Sequence, residues 1–216
     1  MTRSGTPEEV RLILLGAPAS GKGTQAAILT EKLGVPKIST GDMLRAATTA
    51  GSELGKQAAS LMNEGKLVPD SVVIGLVKER LSQPDAKKGF ILDGFPRTVA
   101  QADALSALLT GLGTPLNKVV QIDVSRDLLE ERATLRRTDK RTGHIYHLKY
   151  SPPPLDADLD HRADDQPETV KKRLDQYDAM TAALLPHYEK LGLLRRVDGV
   201  GSPSEITNRI LAALEH

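Results

Sequence analysis

Residues 10–24 read VRLILLGAPASGKGT, and this stretch decides the fold. Val10–Gly16 is a short apolar run that ends in glycine, which is typical of a buried strand. The pattern G-x-x-x-x-G-K follows directly, in Gly16–Thr24. From Gly21 to Leu33 the apolar residues have the spacing of a helix. The stretch therefore predicts a strand, a glycine-rich loop and a helix in succession.

A glycine-rich loop in this position has the chemistry of a phosphate site. Its glycines let backbone N–H groups turn toward phosphate oxygens, and the N-terminus of the helix adds its positive end. Lys22 can reach the β- and γ-phosphates of a nucleoside triphosphate. Gly23 stands where a Ser or Thr that binds Mg²⁺ is usual, and Thr24 follows one position later. The hydroxyl expected to bind the metal is therefore displaced.

Strands and helices alternate along the rest of the chain. Further strands are predicted at Val35–Thr40, Gly89–Gly94, Lys118–Val124 and Leu193–Val197. Helices are predicted at Thr98–Leu112 and from Ser202 onward, where Ser202-Pro203-Ser204-Glu205 has the form of a capping box. This alternation indicates an α/β fold, a P-loop parallel sheet of five strands with helices on both faces.

Two stretches interrupt the alternation. Residues 41–83 have helical patterns with no strand between them. Residues 137–165 contain glycine, three consecutive prolines and many charges, but little apolar content. Both are predicted to be insertions on a single domain, and insertions of this kind often act as lids.

The composition excludes several classes of protein. The 216 residues contain 29 Lys and Arg against 28 Asp and Glu, and a net charge of +1 gives no reason to expect binding to nucleic acid or a membrane. The absence of cysteine excludes disulfides, cysteine-bound zinc and thiol catalysis. No apolar run approaches the ~20 residues that span a bilayer. Met1–Glu9 is polar, so we expect a cytoplasmic protein without a secretory signal.

Spaced motifs carry a resemblance to a known family. They are GKGT (Gly21–Thr24), STGDMLR (Ser39–Arg45), DGFPRT (Asp93–Thr98) and TGHIYH (Thr142–His147). Together they closely resemble the adenylate kinases, and the likeness runs from Val10 to Gly199. The resemblance implies a monomeric kinase that transfers a phosphoryl group from Mg·ATP to AMP, reversibly, to give two ADP.

The resemblance also divides the chain. It implies a core of about residues 10–38, 69–134 and 166–216. An insertion at 39–68 would bind the nucleoside monophosphate, and an insertion at 135–165 would form a lid over ATP. A lid has a physical purpose, because water in the site would hydrolyse ATP.

The lid departs from the patterns known in the family. Some lids of the family hold zinc with four cysteines, which this chain lacks, so no zinc is expected. Others use a hydrogen-bonded set of His, Ser, Asp and Thr. Here the first two positions of that set hold Asp139 and Thr142, and the segment with the other two is shortened to Pro152–His161. Neither known arrangement therefore explains what stabilises this lid.

The implied reaction needs cations rather than a base. The attacking phosphate oxygen is already largely ionised at neutral pH, because its second pKa is ~6. Catalysis then consists of bringing two polyanions together and stabilising the charge on the transferred group. Arginine suits this work through bidentate hydrogen bonds and permanent charge. The catalytic residues that the resemblance implies are Lys22, Arg97, Arg136, Arg162 and Arg173.

Matching positions imply the contacts of each nucleotide. The implied ATP contacts are Ala19, Ser20, Gly21, Lys22, Gly23, Thr24, Arg132, Arg136, Ile145, Tyr146 and Gly201. The implied AMP contacts are Thr40, Arg45, Lys66, Leu67, Val68, Gly94, Phe95, Pro96, Arg97, Gln101, Arg162 and Arg173. The remaining arginines are interpreted as surface charges, namely Arg137, Arg141, Arg195 and Arg196.

Several side chains keep two interpretations. Asp93 ends a strand at the carboxyl edge of the sheet and is the candidate for holding Mg²⁺ through water. Asp42 either assists it or caps the helix after Gly41. Gln101 either reads the adenine edge of AMP, as the resemblance implies, or completes a capping box with Thr98.

The lid and its flank carry three further interpretations. His147 is interpreted as packing within the lid rather than as a ligand. Asp165 begins a stretch with the form of a capping box and is therefore expected to be structural. Asp164 is also a candidate for orienting Arg136 or Arg162.

Other functions compete with the one that the resemblance implies. A UMP/CMP kinase, or an AMP kinase that uses GTP, is a related enzyme, although Gln101 and the STGD segment favour AMP. A non-catalytic ATP-binding switch would not need the phosphate-facing arginines. A plain ATPase would need a positioned water and a base, and neither can be assigned.

Overall fold

The structure, a computed structural model, describes residues 9–215 and contains two sheets. The strands are β1 (Val10–Leu15), β2 (Lys37–Ser39), β3 (Gly89–Asp93), β4 (Lys118–Asp123), β5 (Arg136–Asp139), β6 (Ile145–His147), β7 (Leu159–Asp160) and β8 (Leu194–Asp198). The larger sheet has five parallel strands in the order β2-β3-β1-β4-β8. The predicted α/β fold is confirmed, and each predicted core strand ends within a few residues of its observed bounds.

Helices connect the parallel strands and cover both faces of the sheet. They are α1 (Lys22–Leu33), α2 (Thr40–Thr49), α3 (Glu53–Asn63), α4 (Asp70–Leu81), α5 (Val99–Gly111), α6 (Arg126–Thr134), α7 (Pro167–Gln176), α8 (Leu184–Lys190) and α9 (Pro203–Leu214). A π-helical turn, Tyr177–Thr181, continues α7 toward α8. Among residues 9–215, no helix is long and apolar enough to cross a membrane.

The central strand β1 is buried on both faces. Leu12 and Leu14 pack with α1 and α9 on one face, whereas Ile13 and Leu15 pack with α4, α5 and α8 on the other. Because neighbouring side chains of a strand point to opposite faces, a continuous apolar run is what a doubly covered parallel strand requires. The sheet therefore holds its carboxyl edge, where β1 runs into the glycine-rich loop, on a rigid base.

Local hydrogen bonds decide where the helices begin. The capping box predicted at Ser202 is present, with the Ser202 and Glu205 side chains each bonding the other's backbone N–H. Ser39 rather than Asp42 caps α2, so the interpretation of Asp42 as a cap is wrong. The box predicted at Asp165 is absent as well, since Gln166 stands at the cap position of α7 and makes no side-chain cap.

The two interrupting stretches have different structures. Residues 41–83 contain α2, α3 and α4 without a strand, as predicted. Residues 137–165 contribute nearly all of the second sheet, an antiparallel sheet of three short strands in the order β6-β5-β7. Asp139 stabilises the turn between β5 and β6, because its buried carboxylate accepts the N–H groups of Arg141 and Thr142 at 2.8 and 3.0 Å.

Candidate active site

One cavity of about 1190 Å³ lies over the carboxyl edge of the parallel sheet. The glycine-rich loop, the helical insertion and the antiparallel sheet all contribute to its walls. This is the edge at which open α/β sheets bind their ligands, because loops from several strands meet there. All but one of the residues predicted to bind a nucleotide or metal line this cavity.

The loop after β1 is built around backbone conformations that favour glycine. Gly16 has φ of 152°, and a Cβ there would lie 2.6 Å from Ser20 Oγ and 2.8 Å from the carbonyl oxygen of Ile122. Gly21, at the N-cap of α1, has a left-handed φ of 97°. Ala19 also has a positive φ, of 64°, which is uncommon for a residue with a Cβ. The loop therefore curls over the N-terminus of α1, as a phosphate cradle requires.

Lys22 lies at the centre of this loop. Its Nζ donates hydrogen bonds to the carbonyl oxygens of Gly16 and Ala17 at 2.7 and 2.8 Å. The pKa of Lys22 is lowered to about 8, chiefly by burial; Asp93 opposes the shift, and Arg97 and two further arginines add to it. The ammonium group of Lys22 thus lies among carbonyl oxygens and other cations. A bound anion would favour its charged form.

Arginines from four separate parts of the chain surround the same space. Arg97 follows β3, Arg136 begins β5, Arg162 follows β7 and Arg173 lies in α7. The pKa of Arg162 and that of Arg173 are each lowered to about 10, chiefly by burial. Burial likewise lowers the pKa of Arg97. The sequence-based grouping of these four arginines at one site agrees with their placement around the cavity.

Two of these arginines have no carboxylate partner. The guanidinium of Arg162 makes no hydrogen bond or ion pair within the part of the chain that the structure describes, although it is largely buried. Within the same part of the chain, the Arg97 guanidinium donates only to a backbone carbonyl, that of Gly94, at 2.8 Å. Since buried charges in proteins are normally paired, both guanidinium groups are poised for an anionic ligand.

The other two arginines are held by adjacent carboxylates. Arg136 makes a bidentate pair with the fully buried Asp165, with Nε 2.7 Å from Oδ2. Arg173 pairs with Asp164 at 2.8 Å and also lies 3.5 Å from Asp165. Asp164 was predicted to orient Arg136 or Arg162. In the structure it is Asp165 that pairs with Arg136. The Asp165 carboxylate therefore makes an ion pair and does not cap α7.

The two candidate metal ligands, Asp93 and Asp42, differ in whether their carboxylates already have partners in the protein. Asp93 lines the cavity beside Gly23, whose Cβ would stand 3.6 Å from Oδ2, and its carboxylate accepts no hydrogen bond within residues 9–215. Asp42 instead pairs with both Lys37 and Arg45 at 2.7 Å. Although burial alone would raise the pKa of Asp42, these bonds hold it below its usual value. The donor set therefore suits a hydrated Mg²⁺ at Asp93 better than at Asp42.

The acceptor side of the cavity is formed by α2, α4 and the segment after β3. Thr40 donates its hydroxyl to the carbonyl oxygen of Gly94 at 2.9 Å. Gly94 has φ of 75°, and a Cβ there would lie 3.2 Å from the Arg97 guanidinium. Gln101 is buried, and its Oε1 accepts the backbone N–H of Arg97 at 2.7 Å. Thr98 caps α5 as predicted, but Gln101 bonds Arg97 rather than Thr98 and so does not complete the capping box.

The antiparallel sheet covers the donor side. Arg136 and His147 stand opposite each other in the β5–β6 register, and Ile145 and Tyr146 line the cavity with them. His147 Nδ1 accepts the N–H groups of Lys149 and Tyr150 at 3.2 and 3.1 Å, which agrees with a packing role. Its Nε2 is buried and finds no hydrogen-bond partner among the described residues.

Some residues of the site were missed and others lie elsewhere. Phe95 was predicted to contact AMP, but its ring is buried in the core and does not line the cavity. Tyr150 was not singled out, although it lines the cavity, stacks on His147 and donates to Glu131 at 2.6 Å. Its aromatic ring beside the TGHIYH motif was a signal that could have been used. The four arginines interpreted as surface charges do not line the cavity.

A family model described as Adenylate kinase matches residues 14–193. A protein of Sorangium cellulosum (strain So ce56) named Adenylate kinase is 58% identical to this chain over 206 residues, which cover 94% of this chain and 95% of that protein. The chain belongs to the adenylate kinase family.

Other adenylate kinases align over nearly the same length. The protein so named from Thermodesulfovibrio yellowstonii is 53% identical over 213 residues, covering 95% of this chain and 99% of the relative. That from Nitrosococcus oceani is 48% identical over 214 residues, again covering 95% and 99%. The family predicted from the spaced motifs is therefore confirmed, and with it the class of enzyme.

Proposed function

We infer that this adenylate kinase transfers the γ-phosphoryl group of Mg·ATP to AMP and forms two ADP, reversibly. The observation that carries the proposal is the meeting of Lys22, Arg97 and Arg162 in one cavity, where none of the three pairs with a carboxylate of the described residues. Such cations favour a polyanion, and Arg136 and Arg173 add charge between the two ends. The phosphates of two nucleotides would supply the missing negative charge.

The loop and the antiparallel sheet support the donor site. In this proposal the β- and γ-phosphates lie on the loop N–H groups and Lys22, and the adenine lies between Arg132 and the β6 residues. Arg132 is held toward that space because its guanidinium donates to the carbonyl oxygen of Gly199 at 3.0 Å. Closure of residues 135–165 over the donor would exclude water, which otherwise competes as the acceptor.

The helical insertion, residues 39–68, supports the acceptor site. Arg45 and Arg97 would bind the AMP phosphate, and Gln101 would read the base. The attacking oxygen needs no base because it is already ionised. Arg136, Arg162 and Arg173 would stabilise the charge on the transferred group. Asp165 and Asp164 hold Arg136 and Arg173 in place, which reduces the reorganisation that these two arginines need.

Magnesium belongs to the proposal as part of the donor. Asp93 would hold it through water, and Mg²⁺ would neutralise charge on the β- and γ-phosphates. The hydroxyl of Thr24 lies one position beyond the usual one, which leaves the free carboxylate of Asp93 as the better candidate. The monomeric state and the cytoplasmic location predicted from the sequence are also part of the proposal.

The alternatives make different demands on the same cavity. A non-catalytic switch would bind ATP without using the arginines on the acceptor side. A UMP/CMP kinase would require a pyrimidine beside Gln101, and a GTP-using enzyme would require a guanine in the donor site. An ATPase would release phosphate whether or not an acceptor is present.

A coupled assay for ADP separates these functions. ATP or GTP is supplied as donor with AMP, CMP, UMP or GMP as acceptor, with Mg²⁺ or with a chelator. We expect rapid ADP formation with ATP and AMP, and loss of activity when the chelator removes Mg²⁺. A rate that does not depend on AMP would contradict the proposed function.

A further inference from the structure

The amide of Gln101 is held from both sides by the protein itself. Its Oε1 accepts the backbone N–H of Arg97 at 2.7 Å, and its Nε2 donates to Oδ1 of Asp70 at 2.6 Å. The side chain is only 1% exposed, yet it lines the cavity. Both bonds are as short as good protein hydrogen bonds are. The amide is therefore part of the cavity wall with a defined orientation.

Asp70 and the backbone N–H of Arg97 together fix this orientation, and Asp70 is the side chain of the two. It begins α4, and its second oxygen, Oδ2, accepts the hydroxyl of Thr98 at 3.0 Å. A carboxylate only accepts hydrogen bonds and a backbone N–H only donates them. Turning the Gln101 amide over would place its oxygen against the Asp70 carboxylate and its NH₂ group against the Arg97 N–H. Two hydrogen bonds would be replaced by two repulsive contacts, so only one orientation is stable.

The fixed orientation decides what the amide can offer to a ligand. An amide has two N–H donors and two lone pairs on oxygen. One of each is used by Asp70 and Arg97, which leaves one donor and one acceptor at set positions. Adenine presents an acceptor at N1 and a donor at its 6-amino group, whereas a 6-oxopurine presents the reverse pattern. An amide free to turn over would suit both bases, but a fixed amide suits only one.

We propose that Asp70 is a specificity-determining positioning residue, which fixes the Gln101 amide so that the acceptor site takes adenine and rejects 6-oxopurine monophosphates. Asp70 does not line the cavity and acts through Gln101. The inference rests on the proposed function, in which AMP is the acceptor and Gln101 reads its base. It adds the source of the selectivity, which lies outside the nucleotide contacts.

Asp70→Asn tests the inference, with inosine monophosphate as the 6-oxopurine probe. The asparagine presents an NH₂ group as well as an oxygen, so it removes one of the two repulsive contacts that oppose the turned-over amide and leaves only the contact with the Arg97 N–H. We expect the ratio of kcat/KM for AMP to that for inosine monophosphate to fall at least about tenfold. The change should appear as a higher KM for AMP and a lower KM for inosine monophosphate, with little change in kcat for AMP. If Asp70 had only a structural role, the substitution would lower kcat/KM for both nucleotides by the same factor.

Two further variants serve as a control and as a substitute if Asp70→Asn does not fold. Asp85→Asn is the matched control, because Asp85 is an exposed partner of Arg80 and does not line the cavity; its ratio should equal that of the unchanged protein. If Asp70→Asn does not unfold cooperatively on heating, Asp70→Ser carries the same expectation. A serine hydroxyl both donates and accepts, and serine is tolerated where a helix begins.

The outcomes separate the inference from the proposed function. If the unchanged protein does not use AMP, the proposed function fails, and the inference fails with it. If Gln101→Leu leaves the ratio unchanged, Gln101 does not read the base and the inference is overturned. If Gln101→Leu lowers the ratio but a folded Asp70 variant keeps it, the proposed function stands and the role of Asp70 alone is overturned.

Discussion

The charge of Lys22 depends on what binds beside it. Its pKa is lowered to about 8, chiefly by burial, while nearby arginines further disfavour its proton. A bound triphosphate would reverse this, because negative charge at the ammonium group raises its pKa again. We therefore expect a larger neutral fraction of Lys22 in the free protein above pH 8 than in the ATP complex. Binding of ATP should therefore take up a proton in this range.

The first prediction follows from this linkage. We expect the Kd of ATP to rise as the pH increases from 7 to 9, since a neutral amine does not pair with phosphate. Calorimetric titrations in two buffers with different ionisation enthalpies measure the proton uptake. Lys22→Arg is the control, because its side chain stays charged throughout and should show no such uptake. Equal proton uptake by the two proteins would contradict the assignment to Lys22.

Asp165 provides the second prediction at the scale of one residue. Asp165→Asn leaves Arg136 largely buried without its counter-charge, so the free energy of unfolding should fall by about 2 kcal/mol or more. The value of kcat should fall as well, because Arg136 loses the bidentate contact that orients it. Glu53→Gln is the control, since it removes an exposed pair with Lys56 and should have no measurable effect. Urea denaturation that gives the same stability for all three proteins would count against this account.

At the scale of elements, the contact between α2 and α3 shapes the acceptor side. A Cβ on Gly55 would lie 2.1 Å from the carbonyl oxygen of Ala47, and backbone atoms cannot move aside as a flexible side chain can. Thr48 closes the same contact by donating its hydroxyl to the carbonyl oxygen of Gly55 at 2.9 Å. The close approach holds α3 against the helix that carries Arg45. Glycine is therefore required at this position by packing.

Gly55→Ala is the third prediction. Separation of α3 from α2 should lower the free energy of unfolding by about 1–3 kcal/mol, the usual range for an overpacked contact. It should raise the KM for AMP while leaving the KM for ATP nearly unchanged, because the donor loop is built on β1 and α1. Steady-state kinetics with each nucleotide varied in turn measure the two values.

Gly75→Ala is the matched control for that substitution. Gly75 lies in α4, and a Cβ there meets nothing within 4 Å. An alanine at an exposed helical position should stabilise the protein by up to about 1 kcal/mol without changing either KM. If Gly55→Ala behaves like this control, the packing argument is wrong.

The elements that the sequence predicted best are those with strong local signals. β1 and the loop after it follow from the apolar run and from Gly16 and Lys22 alone, since burial on both faces and a tight turn are local demands. The helix α6 was not predicted, because only Leu129 and Ala133 are fully buried in it and their partners lie in α7. A pattern so short depends on tertiary packing that spacing within one segment does not reveal.

The sequence predicted the residues that face the nucleotides, but it did not predict the residues that hold those side chains in place. The motifs located the arginines, but the choice between Asp164 and Asp165 as the partner of Arg136 depends on side-chain directions in the folded chain. The same holds for Thr181, which donates its hydroxyl to the carbonyl oxygen of Arg97 at 3.0 Å from a π-helical turn. A π-helical turn has no sequence signature of its own, although such turns are frequent at functional sites.

At the scale of the whole molecule, the parallel sheet brings two kinds of insertion to one edge. The helical insertion and the antiparallel sheet line the same cavity as the glycine-rich loop, so donor and acceptor nucleotides would meet over the carboxyl ends of the strands. The cations from these parts influence one another, as the effects of Arg97, Arg136 and Arg173 on Lys22 show. A phosphoryl group transferred between two nucleotides would pass between these positively charged side chains.

A double-label experiment tests this central claim most directly. The protein is mixed in a single turnover with Mg·ATP that carries radioactive phosphorus in its γ-phosphate and AMP that carries a heavy-carbon adenine. We predict ADP that contains both labels, in an amount equal to the AMP consumed, and almost no free labelled phosphate. Labelled phosphate released without consumption of AMP, or ATP bound without turnover, would contradict the account.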